Sequence, residues 1–403
     1  AATAPRADIR DQSMLNGAAP PSEADNPSAQ SPFGGRLWLA PLTRGGHPAF
    51  RRLCVGFGAE VTVGEMAVAR RLLQNRAAEF ALLRSHPEEP FFGVQLADKS
   101  PESLAEAARL AEARGARFLD LNCGCPIPAI TGRGLGASLL RRPTRLGRLV
   151  EAMRGAVKIP VTVKLRTGWS EKEGNVSALA RVCEESGAAA ITIHGRSREQ
   201  RYERAADWDV IGRVAAERRV PVVGNGDILT HYEARDRRAR SGATAIMVAR
   251  GALIKPWIFD EIRRGEAWLP TPEERFSVLW RFVSFLREHF HDDERGHRRI
   301  LHFLPWHLGF FCRYRPLPED VFLEASRRHP LIQTRLPWDA PSSPLEALLR
   351  DPRPEFHEGL SRELLGSLSE AEALERALQL AETSRGRAGT AETEALPESV
   401  VAG

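Results

Sequence analysis

Two cysteines one residue apart stand in the stretch Leu119-Asp120-Leu121-Asn122-Cys123-Gly124-Cys125-Pro126. The alternating apolar run Phe118 to Leu121 reads as a strand that stops at Asn122, and the residues after it continue neither sheet nor helix. Pro126 fixes its own φ and keeps Cys125 out of helical geometry, while Gly124 permits a turn closed to other residues. A thiol delivered at the carboxyl end of a strand suits directed proton or sulfur chemistry. The bland alternative is a small buried hydrophobe, the usual fate of a free cysteine. Three more glycines, Gly132, Gly134 and Gly136, enclose Arg133, so a sharply bent loop follows beside a basic side chain, which packing alone does not explain. Cys123 and Cys125 are too close for an ordinary disulfide or a zinc half-site, no second Cys/His cluster accompanies them, and no metal is expected.

The elements that would position this thiol begin at Leu37, where short β-type runs start to alternate with helical stretches. The strand candidates are Leu37-Ala40, Glu60-Gly64, Phe91-Leu96, Arg117-Leu121, Pro160-Leu165, Ala189-Ile193, Val220-Gly224 and Ala245-Val248. Eight parallel strands with intervening helices predict an α/β fold, a (β/α)8 TIM barrel. No Gly-x-Gly-x-x-Gly opens the first unit, which disfavours an open doubly wound sheet. The stretches Pro101 to Arg114 and Val176 to Ser186 have helical spacing and stop before Gly115 and Gly187, as capped helices do. Chemistry in a barrel collects at the carboxyl ends of its strands, and polar residues stand there in turn: Thr43, Glu65, Gln95, Asn122 and Cys125, Lys164 and Arg166, His194 and Arg196, Asn225 to Asp227, and Arg250. Eight converging polar ends describe a ring of ligands.

Composition bounds the partners. The 403 residues are 42% hydrophobic, enough for one large domain and a smaller one, and carry a net charge of +5. With a pI near 9.2, a polyanionic partner is mildly favoured. Five of the 57 basic residues are lysines, so Lys164 inside an apolar strand stands out, expensive to bury without a partner. Five cysteines form no secreted framework, no apolar stretch is long enough to span a bilayer, and the first residues lack the apolar core of a signal peptide; a reducing cytoplasm is the expected setting.

Asn122-Cys123-Gly124-Cys125-Pro126 with the trailing Gly134-Leu135-Gly136-Ala137-Ser138 resembles the signature of the tRNA dihydrouridine synthases, and the likeness runs from about Leu37 to about Pro318. The phrases Ala40-Pro41-Leu42-Thr43, Gly64-Glu65-Met66-Ala67, Ala249 to Trp257 and Phe310 to Tyr314 are most similar to the eukaryotic branch that acts at the variable-loop uridine. The chain departs from that branch in having no Cys/His zinc-finger segment before the barrel, and Pro128 where an acidic residue is usual. The resemblance implies an FMN-dependent oxidoreductase that takes hydride from NADPH and reduces the C5–C6 bond of a tRNA uridine, with Cys125 as the acid at C5. It implies that Pro41, Leu42, Thr43, Gln95, Lys164 and His194 hold the flavin, with Asn225, Gly226, Asp227, Ala249, Arg250 and Gly251 forming a phosphate site of the kind barrels build from their last two loops. Asn122, Arg133, Arg166 and Arg196 would face the substrate.

A uridine in folded tRNA reaches a barrel pocket only when turned out of its stack, so a second surface must grip the RNA backbone. From Pro272 the spacing is helical; its aromatic groups, Phe276 to Phe285 and Phe303 to Phe311, read as bundle core, and Arg295, His297, Arg298, Arg299, Arg313, Arg315, Arg327 and Arg328 as candidate RNA contacts. The expected organisation is a disordered arm over 1–33, an FMN-binding catalytic barrel over 34–265, a helical tRNA-binding domain over 272–382 and a disordered tail over 383–403, acting as a monomer. The rivals are a flavin barrel acting on a small pyrimidine or enone, and a tRNA-binding chaperone without catalysis; intact Cys125 and Lys164 argue against the second.

Overall fold

In the computed structural model, which describes residues 31–334 and 339–385, eight parallel strands close into a barrel. They are β1 (Leu37–Leu39), β2 (Val61–Val63), β3 (Phe92–Ala97), β4 (Phe118–Cys123), β5 (Val161–Arg166), β6 (Ala190–His194), β7 (Val222–Asn225) and β8 (Ala245–Val248). Each expected strand is present. Closure comes from pairing β1 with both β2 and β8 and β2 with β3, as in Trp38 opposite Val61, Leu37 opposite Ile246 and Thr62 opposite Phe92. A further two-residue strand, Ala67–Val68, pairs with Leu96 and Ala97. The second strand is therefore broken, and Glu65 and Met66 stand at the break.

Alternation along each strand decides what fills the barrel. On β4 the residues Phe118, Asp120 and Asn122 share one face, and their cross-strand partners on β3 and β5 include Gly93, Gln95, Thr162 and Lys164. Going up the barrel, apolar side chains give way to amides, a carboxylate and cations. The amino end is a packed plug in which Phe33, Trp38 and Phe118 meet at ring-centroid distances of 5.3 to 5.7 Å, mostly edge to face. Gly93 makes room for it, because a Cβ there would lie 2.3 Å from the Phe118 ring. Of the arm expected over 1–33, residues 1–30 lie outside the described residues, while Phe33, 1% exposed, belongs to this plug.

The helices Pro101–Ala113 and Val176–Glu185 end as expected, with Gly115 and Gly187 each at φ +92. After Gly265 the alternation stops, and the helices Pro272–Phe290, Glu294–Phe311, Glu319–Arg328, Pro344–Arg350, Pro354–Gly366 and Glu370–Arg385 follow. The last takes in residues 383–385, placed by sequence in the tail; residues 386–403 lie outside the described residues. Phe276, Phe282, Phe310 and Phe311 are buried, which fits the core reading of those aromatics. This helical region packs on the barrel: Phe50 meets Phe282 at 5.7 Å, Trp257 meets Tyr314 at 5.2 Å, and Tyr232 donates to the Leu317 carbonyl at 3.1 Å. No helix among the described residues is long and apolar enough to cross a membrane.

Candidate active site

The carboxyl ends of the strands surround a cavity of about 560 Å³. Its lining includes Pro41, Leu42 and Thr43 after β1, Gln95 on β3, Asn122 and Cys125 from β4 and its loop, Lys164 and Arg166 on β5, His194 and Arg196 from β6, Asn225 to Asp227 after β7, and Ala249 to Gly251 after β8. Every site residue named from sequence is there except Arg133, which lines a separate cavity on the flank of the barrel.

The thiol loop is built by Asn122. Its Oδ1 accepts from the Gly124 and Cys125 amides at 3.2 and 3.0 Å, its Nδ2 donates to Gln95 Oε1 at 2.7 Å, and Gln95 Nε2 donates to Asp120 at 2.7 Å. Thr162 Oγ1 donates to the other Asp120 oxygen at 2.7 Å. A hydrogen-bonded chain thus runs from the buried carboxylate to the cysteine loop, so Asn122 orients the thiol rather than standing free for substrate. Burial pushes the Asp120 pKa up, opposed by the bonds from Gln95 and Thr162. Sequence reasoning missed Asp120, although an acid at an alternate position of an apolar strand is its signal.

Arg166 holds the loop from the other side: Nε donates to the Gly124 carbonyl at 2.8 Å and Nη1 to the Ser197 carbonyl at 2.8 Å. Of the downstream glycines, Gly136 seats against it. Gly136, at φ +58, allows Ala137 to donate to the Cys125 carbonyl at 3.0 Å, and a Cβ on Gly136 would lie 2.8 Å from that oxygen. Gly124 departs from expectation, since it is not among the glycines of positive φ and a Cβ there would meet nothing closer than 3.7 Å; Pro126 and Asn122 set this turn without it. Cys125 is half-buried, and burial raises its pKa against the opposing Ile127 amide and Arg166 charge. The thiol is therefore neutral at physiological pH, fit to give a proton rather than to attack.

The opposite side of the ring is cationic. Lys164 Nζ donates to Asn225 Oδ1 at 3.2 Å, and Asn225 Nδ2 donates to the Met247 carbonyl at 2.8 Å. Burial first, and then the Arg166 charge, lower the Lys164 pKa to about 8. Burial likewise brings Arg166 to about 10. Arg196 is 0% exposed and bonds to the Arg204 carbonyl at 2.6 Å, His194 Nε2 at 3.0 Å and Asp227 at 2.6 Å, so this residue, expected at the substrate, orients its neighbours. His194 is held neutral by burial and by the surrounding Arg166, Lys164, Arg196 and Arg250; because arginine only donates, Nε2 accepts and the ring proton sits on Nδ1. Arg250 reaches Asp227 at 3.1 Å, with its guanidinium carbon 4.0 Å from the centre of the Tyr202 ring.

Tyr202 was not foreseen, nor was Ile332, which lines the cavity from the helical region. Beside it, Gln333 Nε2 donates to Asp227 at 3.3 Å and to the Arg204 carbonyl at 3.2 Å. Tyr202 lies in a turn and Ile332 and Gln333 in the single helical turn Leu331–Gln333, neither of which periodicity marks. Among the described residues no group of three or more His, Cys, Asp or Glu side chains is placed to hold a metal.

The donor set fits an anionic planar cofactor with a phosphate. Among the described residues no carboxylate pairs with Lys164, Gln95 keeps an amide hydrogen after serving Asp120, and Arg250 stands at the ends of neighbouring strands with the Gly226 and Gly251 backbone. Residues 38–307 match the dihydrouridine synthase (Dus) family. A human protein named tRNA-dihydrouridine(47) synthase (NAD(P)(+))-like is 42% identical over 285 residues, 70% of this chain and 44% of that protein. Its namesake in Oryza sativa subsp. japonica is 42% identical over 317 residues, 77% of this chain and 44% of that protein. The tRNA-dihydrouridine(47) synthase (NAD(P)(+)) of Coprinopsis cinerea is 38% identical over 347 residues, 82% of this chain and 51% of that protein. The chain spans about half the length of the curated relatives it matches.

Proposed function

Because the chain belongs to the dihydrouridine synthase family, we propose that it reduces the C5–C6 bond of a tRNA uridine with FMN and NAD(P)H, at the position 47 its relatives' names carry. The observation that carries this reading is the pairing, in one cavity, of a neutral thiol on Cys125 with a set of cations around Lys164. A flavin held there would supply hydride chemistry for C6 of the uracil. Lys164 and Gln95 would hold its ring, and Arg250 with the Gly226 and Gly251 backbone its phosphate. Cys125 gives its proton to C5 and, being half-exposed at the mouth, recovers one from solvent. Asn122 and Arg166 fix the loop so that the thiol points at that carbon, which is an orientation effect rather than an activating one. Neutral His194, its Nε2 taken by Arg196, can donate from Nδ1 to a uracil carbonyl without adding charge.

The residues given roles here all belong to one chain, and a monomer is the proposed state. All five cysteines are free thiols, which suits a cytoplasmic setting. Retaining the expected division, 34–265 serves as the catalytic domain and 272–382 as an RNA-facing one.

The test is direct. Purified protein is expected to be yellow, to release FMN on denaturation, and with NADPH to form dihydrouridine in unmodified tRNA. Colourless protein that FMN fails to reconstitute sinks the flavin assignment, and turnover of free uracil or a small enone without tRNA shifts the reading to a small-molecule reductase.

A further inference from the structure

The helical region was expected to grip the RNA, yet several of its cations are already engaged. Arg298 pairs with Glu294, Arg327 lies 2.6 Å from Glu324 and 3.3 Å from Asp236, and His297 lies 2.6 Å from Asp292. The flank of the barrel is different. Two adjoining cavities there, of about 620 and 640 Å³, share Lys99, Arg141, Arg142 and Arg145, and Arg133 and Arg148 extend them at either end. Glu102 is the one acid in either lining, and its carboxylate accepts from Ser100 at 2.6 Å. Arg141 pairs with Glu173 at 3.2 Å. Among the described residues no carboxylate comes within 4 Å of the charged groups of Lys99, Arg133, Arg142, Arg145 or Arg148, and all five are exposed. Like charges gathered without counter-charges repel one another, and a solvated surface has no reason to hold them on one strip.

We propose that this channel is a binding track for the sugar-phosphate backbone of the substrate RNA, running from the mouth of the cavity down the side of the barrel; the proposal rests on the functional reading above. Continuity with the site supports it. Arg133 belongs to the same loop as Cys125, Gly134 at φ +81 brings that loop against Lys99, and a Cβ on Gly134 would lie 3.4 Å from Lys99 Cδ. Trp169 gathers two more guanidinium groups at the channel, with Arg198 4.5 Å and Arg141 5.4 Å from its ring centre, so the aromatic ring holds positive charge beside the track. RNA held here passes its extruded nucleotide directly over the thiol loop. Arg133, absent from the main cavity, thereby has a place: it stands where the track meets the mouth.

The experiment replaces three unpaired arginines, Arg142→Gln, Arg145→Gln and Arg148→Gln together, in the flavin-loaded full chain, and measures tRNA affinity from 50 to 300 mM salt. Each lost phosphate contact flattens the log–log salt slope by about 0.7–0.9, so a flattening of about two units and at least about tenfold weaker binding at physiological salt are expected. A charge-matched variant elsewhere on the barrel, Arg181→Gln with Arg213→Gln and Arg219→Gln, is expected to bind within about twofold of wild type. Wild-type affinity and slope in the channel variant overturn the track alone. Wild-type protein with no affinity for tRNA overturns the functional reading and the track with it. A channel variant that binds tRNA normally but needs more NADPH to reduce its flavin assigns the cations to the dinucleotide, and also overturns the track.

Discussion

Lys164 shows a conflict between folding and use. Held at about 8 by burial, against about 10.4 for an exposed lysine, its ammonium costs stability at neutral pH, and that cost fades as pH climbs from 8 toward 10. Lys164→Met is therefore expected to raise the melting temperature of the flavin-free protein by a few degrees, about 2–4 °C per kcal/mol recovered, while the purified variant carries little flavin. An anion beside Lys164 raises its pKa, so below pH 8 the charge is already present, and above it binding must draw in a proton. FMN affinity of the apoprotein, followed by fluorescence titration, should fall by up to about tenfold per pH unit above 8, and the methionine variant should lose that dependence. Cys125→Ala tests the other side of the ring. Its flavin should still be reduced by NADPH, with dihydrouridine formation slowed at least about a hundredfold, the usual scale for losing a positioned acid; an unaffected variant would remove Cys125 from the acid role.

At the scale of elements, the loop from Cys123 to Ala137 is the part that must be exact in position. Gly136→Ala puts a side chain at φ +58 and 2.8 Å from the Cys125 carbonyl, so the thiol loop has to shift. A kcat at least about tenfold lower with unchanged flavin content is expected, since a displacement of about an ångström costs that much or more. The glycine run was legible in the sequence because a Cβ changes what a loop can do. So were the strands, because period-two alternation and Gly-capped helices each leave a mark, and so was the ring of polar strand ends. Asp120 escaped because its role depends on the Gln95 and Thr162 pairings across two strand boundaries, which one strand's residues do not reveal. Arg196 and Asn122 were placed by type at the right cavity, but their partners, His194 and Asp227 for one and the Cys125 amide for the other, turn them from contact residues into orienting ones. Ile332 and Gln333 were invisible for a different reason: they reach the mouth from more than a hundred residues beyond Asp227.

For the whole molecule, the helical region is part of the barrel's own stability. Phe50, Tyr232 and Trp257 lean on residues after Pro272, so a chain ending at Gly265 would leave them uncovered, and low soluble yield with strong binding of a hydrophobic dye is the expected result. RNA binding by the helical region is better tested by surface substitution than by truncation. The aromatic plug of Phe33, Trp38 and Phe118 has a consequence for turnover. With the lower end of the barrel filled, the proposed reductant and nucleic acid would both enter by the mouth at the carboxyl ends of the strands, and each would have to leave before the other arrived. Initial rates measured while both are varied should give parallel rather than intersecting reciprocal plots, and a surplus of either should slow the reaction by occupying the threshold against its successor.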